Sequence, residues 1–168
     1  MSQNISKKIA LRAVLVALAF ILSWVEAQIP PLIAIPGIKP GLANLVVLIA
    51  LYRLSLSDAI FINIIRILLV SFTFGSLMTF FYSLAGAALS LFIMYILKRY
   101  FNLSIMAVSV CGGISHNVGQ LFLASIIVES INIFYLLPYL WIAGIITGAL
   151  IGLLSGLITT RIKNILHE

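Results

Sequence analysis

Long apolar stretches, each closed by proline, glycine or a basic residue, divide the chain into six segments. The first covers 9–29 behind Lys7 and Lys8. The Pro30-Pro31 pair ends it, because proline lacks an amide donor and restricts the residue before it. Pro36-Gly37-Ile38-Lys39-Pro40-Gly41 then reads as an irregular loop. The second segment, 42–52, is too short at 1.5 Å per residue to cross a ~30 Å hydrocarbon core. Either it tilts into a protein-lined cavity, or the proline-rich stretch before it dips into the membrane. The third segment covers 58–74, with Asp58 placed as its N-cap. Gly75-Ser76 turns the chain into the fourth, 76–97, and the fifth and sixth cover 104–128 and 136–160.

Composition says what surrounds these segments. Hydrophobic residues make up 63% of 168 positions and charged residues 8%, whereas a soluble domain needs roughly a quarter charged. Most of the surface must therefore face lipid. Six spans of about 20 residues use roughly 120 positions, so 1–168 reads as a single integral membrane domain without a linker. The basic start before an apolar run also fits a signal peptide, with Val25 and Ala27 mimicking a cleavage site. The run, however, continues past the length of a signal core.

The formal charge of +6 would suggest nucleic acid in a soluble protein. Here it sets topology instead. With the N-terminus inside, Lys7, Lys8, Arg12, Arg53, Lys98, Arg99, Arg161 and Lys163 all fall at cytoplasmic ends. That leaves only Lys39 and Arg66 of the ten basic residues. Shifting the span count by one would scatter them to both sides. The positive-inside rule thus predicts an all-α polytopic membrane helix bundle of about six transmembrane helices with both termini cytoplasmic.

Charge is scarce inside the spans. Arg66 lies in the middle of the third, where a cation costs at least ~2.5–3.5 kcal/mol and must face inward. Asn63 precedes it by one turn. Either Arg66 contacts an anion or polar ligand, or it forms a buried pair with Glu26 or Glu129. The fifth span carries Gly112-Gly113-Ile114-Ser115-His116-Asn117-Val118-Gly119-Gln120. His116 and Gln120 share a face with Gly112, and Asn117 lies above Gly113 on the adjoining strip. Such a segment is either polar glue between helices or, the favoured reading, a cavity lining at the depth of Arg66. Glu26, Gln28, Lys39 and Asn44 add polar groups near the outer end, so a cavity opening outward under the proline-rich loop accommodates them together. Trp24 and Tyr139 read as interfacial belt residues.

No P-loop, HExxH or Gly-x-Ser-x-Gly motif is present, and the four acidic residues are dispersed. Cys111 is the single cysteine and points to the far side of its helix from His116, so neither a disulfide nor a metal site is read, and no cofactor is expected. Gly144, Gly148, Gly152 and Gly156 recur every four residues, the spacing of a close-packing seam. Ala13 and Ala17 form a similar pair in the first span, suited either to internal packing or to a partner.

Ile35-Pro-Gly-Ile-Lys-Pro-Gly-Leu-Ala-Asn44 together with Gly113-Ile-Ser-His-Asn-Val-Gly-Gln120 resembles the Gx transporter family, whose members are often labelled heptaprenyl diphosphate synthase component I. The resemblance covers nearly the whole chain. That family is similar to the substrate-binding S components of energy-coupling-factor (ECF) transporters. The resemblance implies capture of a vitamin or related small nutrient, flavin-like compounds among them, by a subunit in a bacterial plasma membrane. It implies as partners a scaffold transmembrane subunit, meeting the Ala13–Ala17 face, and two ATPase subunits. Prenyl diphosphate synthases use Asp-rich motifs, and this chain holds one Asp, so it is expected not to be an enzyme. The alternatives are a non-catalytic accessory subunit of polyprenyl diphosphate synthesis, or an independent carrier coupling protons through His116 or Glu129.

Overall fold

In the computed structural model, residues 2–29 and 41–167 are described, with side chains for 6–29 and 41–161. Six α-helices follow in chain order: α1 (Ser2–Gln28), α2 (Leu42–Arg53), α3 (Leu56–Thr73), α4 (Leu77–Tyr100), α5 (Ile105–Ile127) and α6 (Leu137–His167). A 3₁₀ stretch, Ile131–Leu136, joins α5 to α6. Five helices are long and apolar enough to cross a membrane; α2, with 12 residues, is shorter. The molecule is a helical membrane bundle.

Serine starts three of the helices. The hydroxyls of Ser55, Ser76 and Ser104 accept from the backbone N–H groups of Asp58, Thr79 and Ala107 at 3.1–3.2 Å, which satisfies donors left open in a first turn. The start of α3 corrects the expected Asp58 cap. Ser55 holds that position, and its hydroxyl also donates to Asp58 Oδ2 at 2.5 Å. The Asp58 carboxylate thereby becomes available to a second helix. Arg12 of α1 donates its Nε to Asp58 Oδ1 at 2.5 Å and its Nη2 also pairs there, while Lys8 approaches to 3.9 Å.

The short α2 is the centre of the bundle. Ala43, Val46, Val47, Leu48, Ala50 and Leu51 are all buried, so other helices rather than lipid surround it. Lipid tails are as apolar as these side chains, so expulsion of water does not drive the assembly within the membrane. Close backbone approach and polar contacts between helices must do so. Along α5 and α6, a Cβ built on Gly113 would lie 2.5 Å from the Gly144 carbonyl oxygen, and one on Gly148 would lie 2.7 Å from Val110 Cα. The expected seam on α6 is therefore real at Gly144, Gly148 and Gly152, which all abut α5. Gly156 has nothing within 4 Å and does not take part.

One end of the bundle is tied by cations. Besides the Arg12–Asp58 pair, Arg53 donates to the Thr159 carbonyl and Lys98 to the Leu51 carbonyl. Arg12 also lies over the Phe61 ring and Lys98 over Tyr52, at 5.4 and 5.0 Å. These contacts join α1 to α3, α2 to α6 and α4 to α2. Outward surfaces are apolar, with Val14, Ile21, Phe92, Phe122 and Ile146 exposed.

Candidate functional site

Away from that basic end, all six helices lend residues to one polar cavity of about 100 Å³. Arg66 is its cation. It stands one turn after Asn63 on α3, and its Nη2 donates to Asn63 Oδ1 at 2.7 Å. Glu26, in the last turn of α1, is its anion. Glu26 Oε1 accepts from the Gly41 backbone N–H at 2.6 Å, and its charge acts on Arg66. Gly41 adopts φ 74° just before α2, a left-handed conformation that glycine takes without steric cost. That turn aims its N–H at α1 and delivers Asn44 to the cavity.

Helix α5 contributes His116, Asn117 and Gln120. They reach the cavity because α4 lies flush on α5. A Cβ on Gly86 would meet the His116 carbonyl oxygen at 2.8 Å, and one on Gly119 would meet the Ala85 carbonyl oxygen at 2.7 Å. The two glycine contacts bring Ser83 of α4 opposite the α5 amides. Asn117 serves two ends at once: it lines the cavity, and its Nδ2 donates to the Leu140 carbonyl of α6 at 2.8 Å. The cavity-lining and interhelical-glue readings of this segment are thus both met, at Asn117 in a single side chain.

The cavity's chemistry is mixed and directional. Arg66 Nε and His116 Nδ1 are buried and make no hydrogen bond among the described residues. Leaving such groups unpaired in a low-dielectric interior costs about 1–3 kcal/mol each, more for a charged group, and a polar ligand would offset that. The amides of Asn44 and Gln120 and the Ser83 hydroxyl offer both donors and acceptors. Arg66 and Glu26 bring opposite charges, so the lining has no net excess from this pair.

Of the residues expected from sequence, Glu26, Asn44, Arg66, His116, Asn117 and Gln120 share this cavity. Asn63 stands at its wall: its oxygen holds Arg66, while its body faces an apolar groove between α3 and α4. Lys39 lies outside the described residues. Glu129, considered as a partner for Arg66, is instead exposed on the turn after α5 at φ 54°. Ala13 and Ala17 line a separate outward groove with Arg12, Phe20, Phe61 and Leu69, about 500 Å³ in volume.

Sequence reading missed Ser83, Ser23, Gly41 and Thr147. Ser83, Gly86 and Ser90 recur as small residues along one side of α4, and that spacing was the available signal for Ser83. Ser23 and Thr147 hydroxyls donate to the carbonyls of Ala19 and Ala143 at 2.9 Å, so they border the cavity with their protons already engaged.

A family model described as heptaprenyl diphosphate synthase component I matches residues 15–158. No curated protein and no solved structure matches the chain. The match runs from α1 into α6 and takes in both Asn44 and the Gly113–Gln120 segment, so the chain belongs to the heptaprenyl diphosphate synthase component I family, the label carried by the Gx transporters it resembles.

Proposed function

We propose that this protein is the substrate-binding membrane subunit of an ECF-type uptake transporter in a bacterial plasma membrane, taking up a small organic nutrient. The observation that carries the reading is the convergence of all six helices on one polar cavity that holds both a cation and an anion. Polar groups in a membrane interior are costly and are kept where they bind or pair. Arg66 Nε and His116 Nδ1 wait unpaired there. No Phe, Tyr or Trp among the described residues lines the cavity, which favours a ligand held by hydrogen bonds over a stacked flavin-like ring. By the positive-inside rule, the basic end faces the cytoplasm and the cavity lies toward the outside. The apolar groove on α1 around Ala13 and Ala17 would receive a scaffold subunit, and nucleotide hydrolysis would belong to separate ATPase subunits.

The test is uptake by cells expressing this chain with and without scaffold and ATPase subunits, after native mass spectrometry has identified the co-purifying small molecule. Uptake that needs those subunits and falls at least tenfold in Arg66→Ala supports the reading. Uptake by the chain alone under a proton gradient would sink it in favour of an independent carrier.

The family match favours a second reading, a non-catalytic accessory subunit of polyprenyl diphosphate synthesis. That reading predicts no uptake, and an altered prenyl product length when the chain is removed.

A further inference from the structure

The polar cavity continues into the bundle. A smaller space of about 30 Å³ adjoins it, and Gly41, Asn44, Gly113 and Thr147 line both. The smaller space lies deeper. From Asn44 to Leu48 on α2, from Gly113 to Ser109 on α5 and from Thr147 to Ile151 on α6, the lining moves one turn toward the basic end. On α4 it moves the same way, from Ser83 to Ser90 and Met94. The chemistry changes over that distance. Leu48, Met94 and Ile151 are apolar and buried, and the Ser90 hydroxyl already donates to the Gly112 carbonyl at 2.8 Å. Met94 lies across Gly112, where a Cβ would stand 2.6 Å from its sulfur. The outer part thus carries both signs of charge, and the inner part is narrow and more apolar.

We propose that this cavity takes a short zwitterionic amino acid, its charged groups among Arg66 and Glu26 and its small apolar side chain in the inner space, with Met94 limiting the length of that side chain. This rests on the cavity being the ligand site, and it names the class of ligand. The room available is small. Pockets for drug-sized ligands run to about 300–1,000 Å³, whereas the cavity measures about 100 Å³ and its inner extension about 30 Å³. Charge narrows the choice further, because Arg66 and Glu26 line one space. A net anion would meet the Glu26 carboxylate and a net cation the Arg66 guanidinium, and like charges repel strongly at low dielectric. A zwitterion brings each of them an opposite charge. Glu26 can receive an ammonium while holding Gly41, since a carboxylate offers about four acceptor sites and the Gly41 N–H meets Oε1. The side chain is short because a water needs about 10–15 Å³, so the inner space admits roughly two non-hydrogen atoms. Met94 is unbranched and adaptable, and it borders that space where it crosses Gly112.

The test titrates the whole chain in nanodiscs by calorimetry with alanine, 2-aminobutyrate and leucine, and with propionate and ethylamine, which each lack one charged group of alanine. Alanine and 2-aminobutyrate should bind at least tenfold more tightly than the other three. Met94→Val and Ile151→Val shorten the inner wall from two different helices, so the size limit can be read even where one of them fails to fold. A folded variant should shift preference at least fivefold toward norvaline, one carbon longer than 2-aminobutyrate, and still reject propionate and ethylamine. Propionate or ethylamine binding as tightly as alanine overturns the charge pairing. Leucine binding as tightly as alanine, or an unshifted preference in the folded variants, overturns the size limit at Met94. Absence of binding by every amino acid overturns the whole proposal. If that occurs while uptake of the co-purified molecule still falls in Arg66→Ala, only this inference falls. If uptake survives Arg66→Ala, the cavity itself is not the site.

Discussion

Arg66 and Asp58 show how a lone charge is managed in this bundle, and they are managed differently. Arg66 spends one nitrogen on Asn63, while its buried Nε makes no hydrogen bond among the described residues. Replacing Asn63 with Leu removes that acceptor without adding charge. We expect a stability loss of about 1–3 kcal/mol, the cost of leaving a buried donor without its acceptor, read as a lower melting temperature in detergent, together with weaker ligand binding. Arg66→Lys keeps the charge but loses the planar fork, so it should bind ligand at least tenfold more weakly with little change in melting temperature. Asp58 is a structural contrast: it is 2% exposed and joins the Ser55 cap to Arg12. Breaking a fully buried pair costs about 3–5 kcal/mol. With Arg12 partly exposed, Asp58→Ala should cost about 2–3 kcal/mol and leave ligand affinity unchanged once the protein is folded. Arg66 was legible in the sequence because any charge in mid-span must face inward. Ser83 was not, since serine is common in membrane helices and nothing local distinguishes a cavity-facing hydroxyl from one bonded to its own helix.

Among elements, the α5–α6 contact depends on what glycine leaves out. Gly148→Ala would place a methyl group 2.7 Å from Val110 Cα and 2.8 Å from the Ser109 carbonyl oxygen. Backbone cannot step aside there without separating the helices. We expect a clear fall in melting temperature and displacement of His116 and Asn117 from the cavity, seen as lost ligand binding. Gly156→Ala meets nothing within 4 Å and gains helix propensity of up to about 1 kcal/mol, so its melting temperature should hold or rise. The four-residue spacing made the four glycines look equivalent. Only the crossing of α5 over α6 separates the three that matter for packing from the fourth. In the same way, the brevity of α2 was plain from sequence, while its place at the centre of the bundle was not.

For the whole molecule, the distribution of charge predicts an orientation that labelling can check. In a Cys111→Ser background, Asn132→Cys lies on the exposed connection at the cavity end and Leu103→Cys between α4 and α5 at the basic end. A membrane-impermeant maleimide should label the first in intact cells and the second only after permeabilisation. The opposite pattern would turn the cavity toward the cytoplasm and remove the basis for uptake from outside.

Sequence by itself determined the number of helices, the membrane setting and the presence of an inward-facing cation at Arg66. All of these follow from local composition and from the cost of charge in hydrocarbon. Only the tertiary structure decided which polar side chains share a space, and that Glu129 stands apart while Glu26 joins Arg66. The reason is physical. In a membrane protein the lipid-facing and protein-facing sides of a helix are equally apolar, so the pattern along the chain says that a helix is buried in something oily but not which of its faces meets a neighbour.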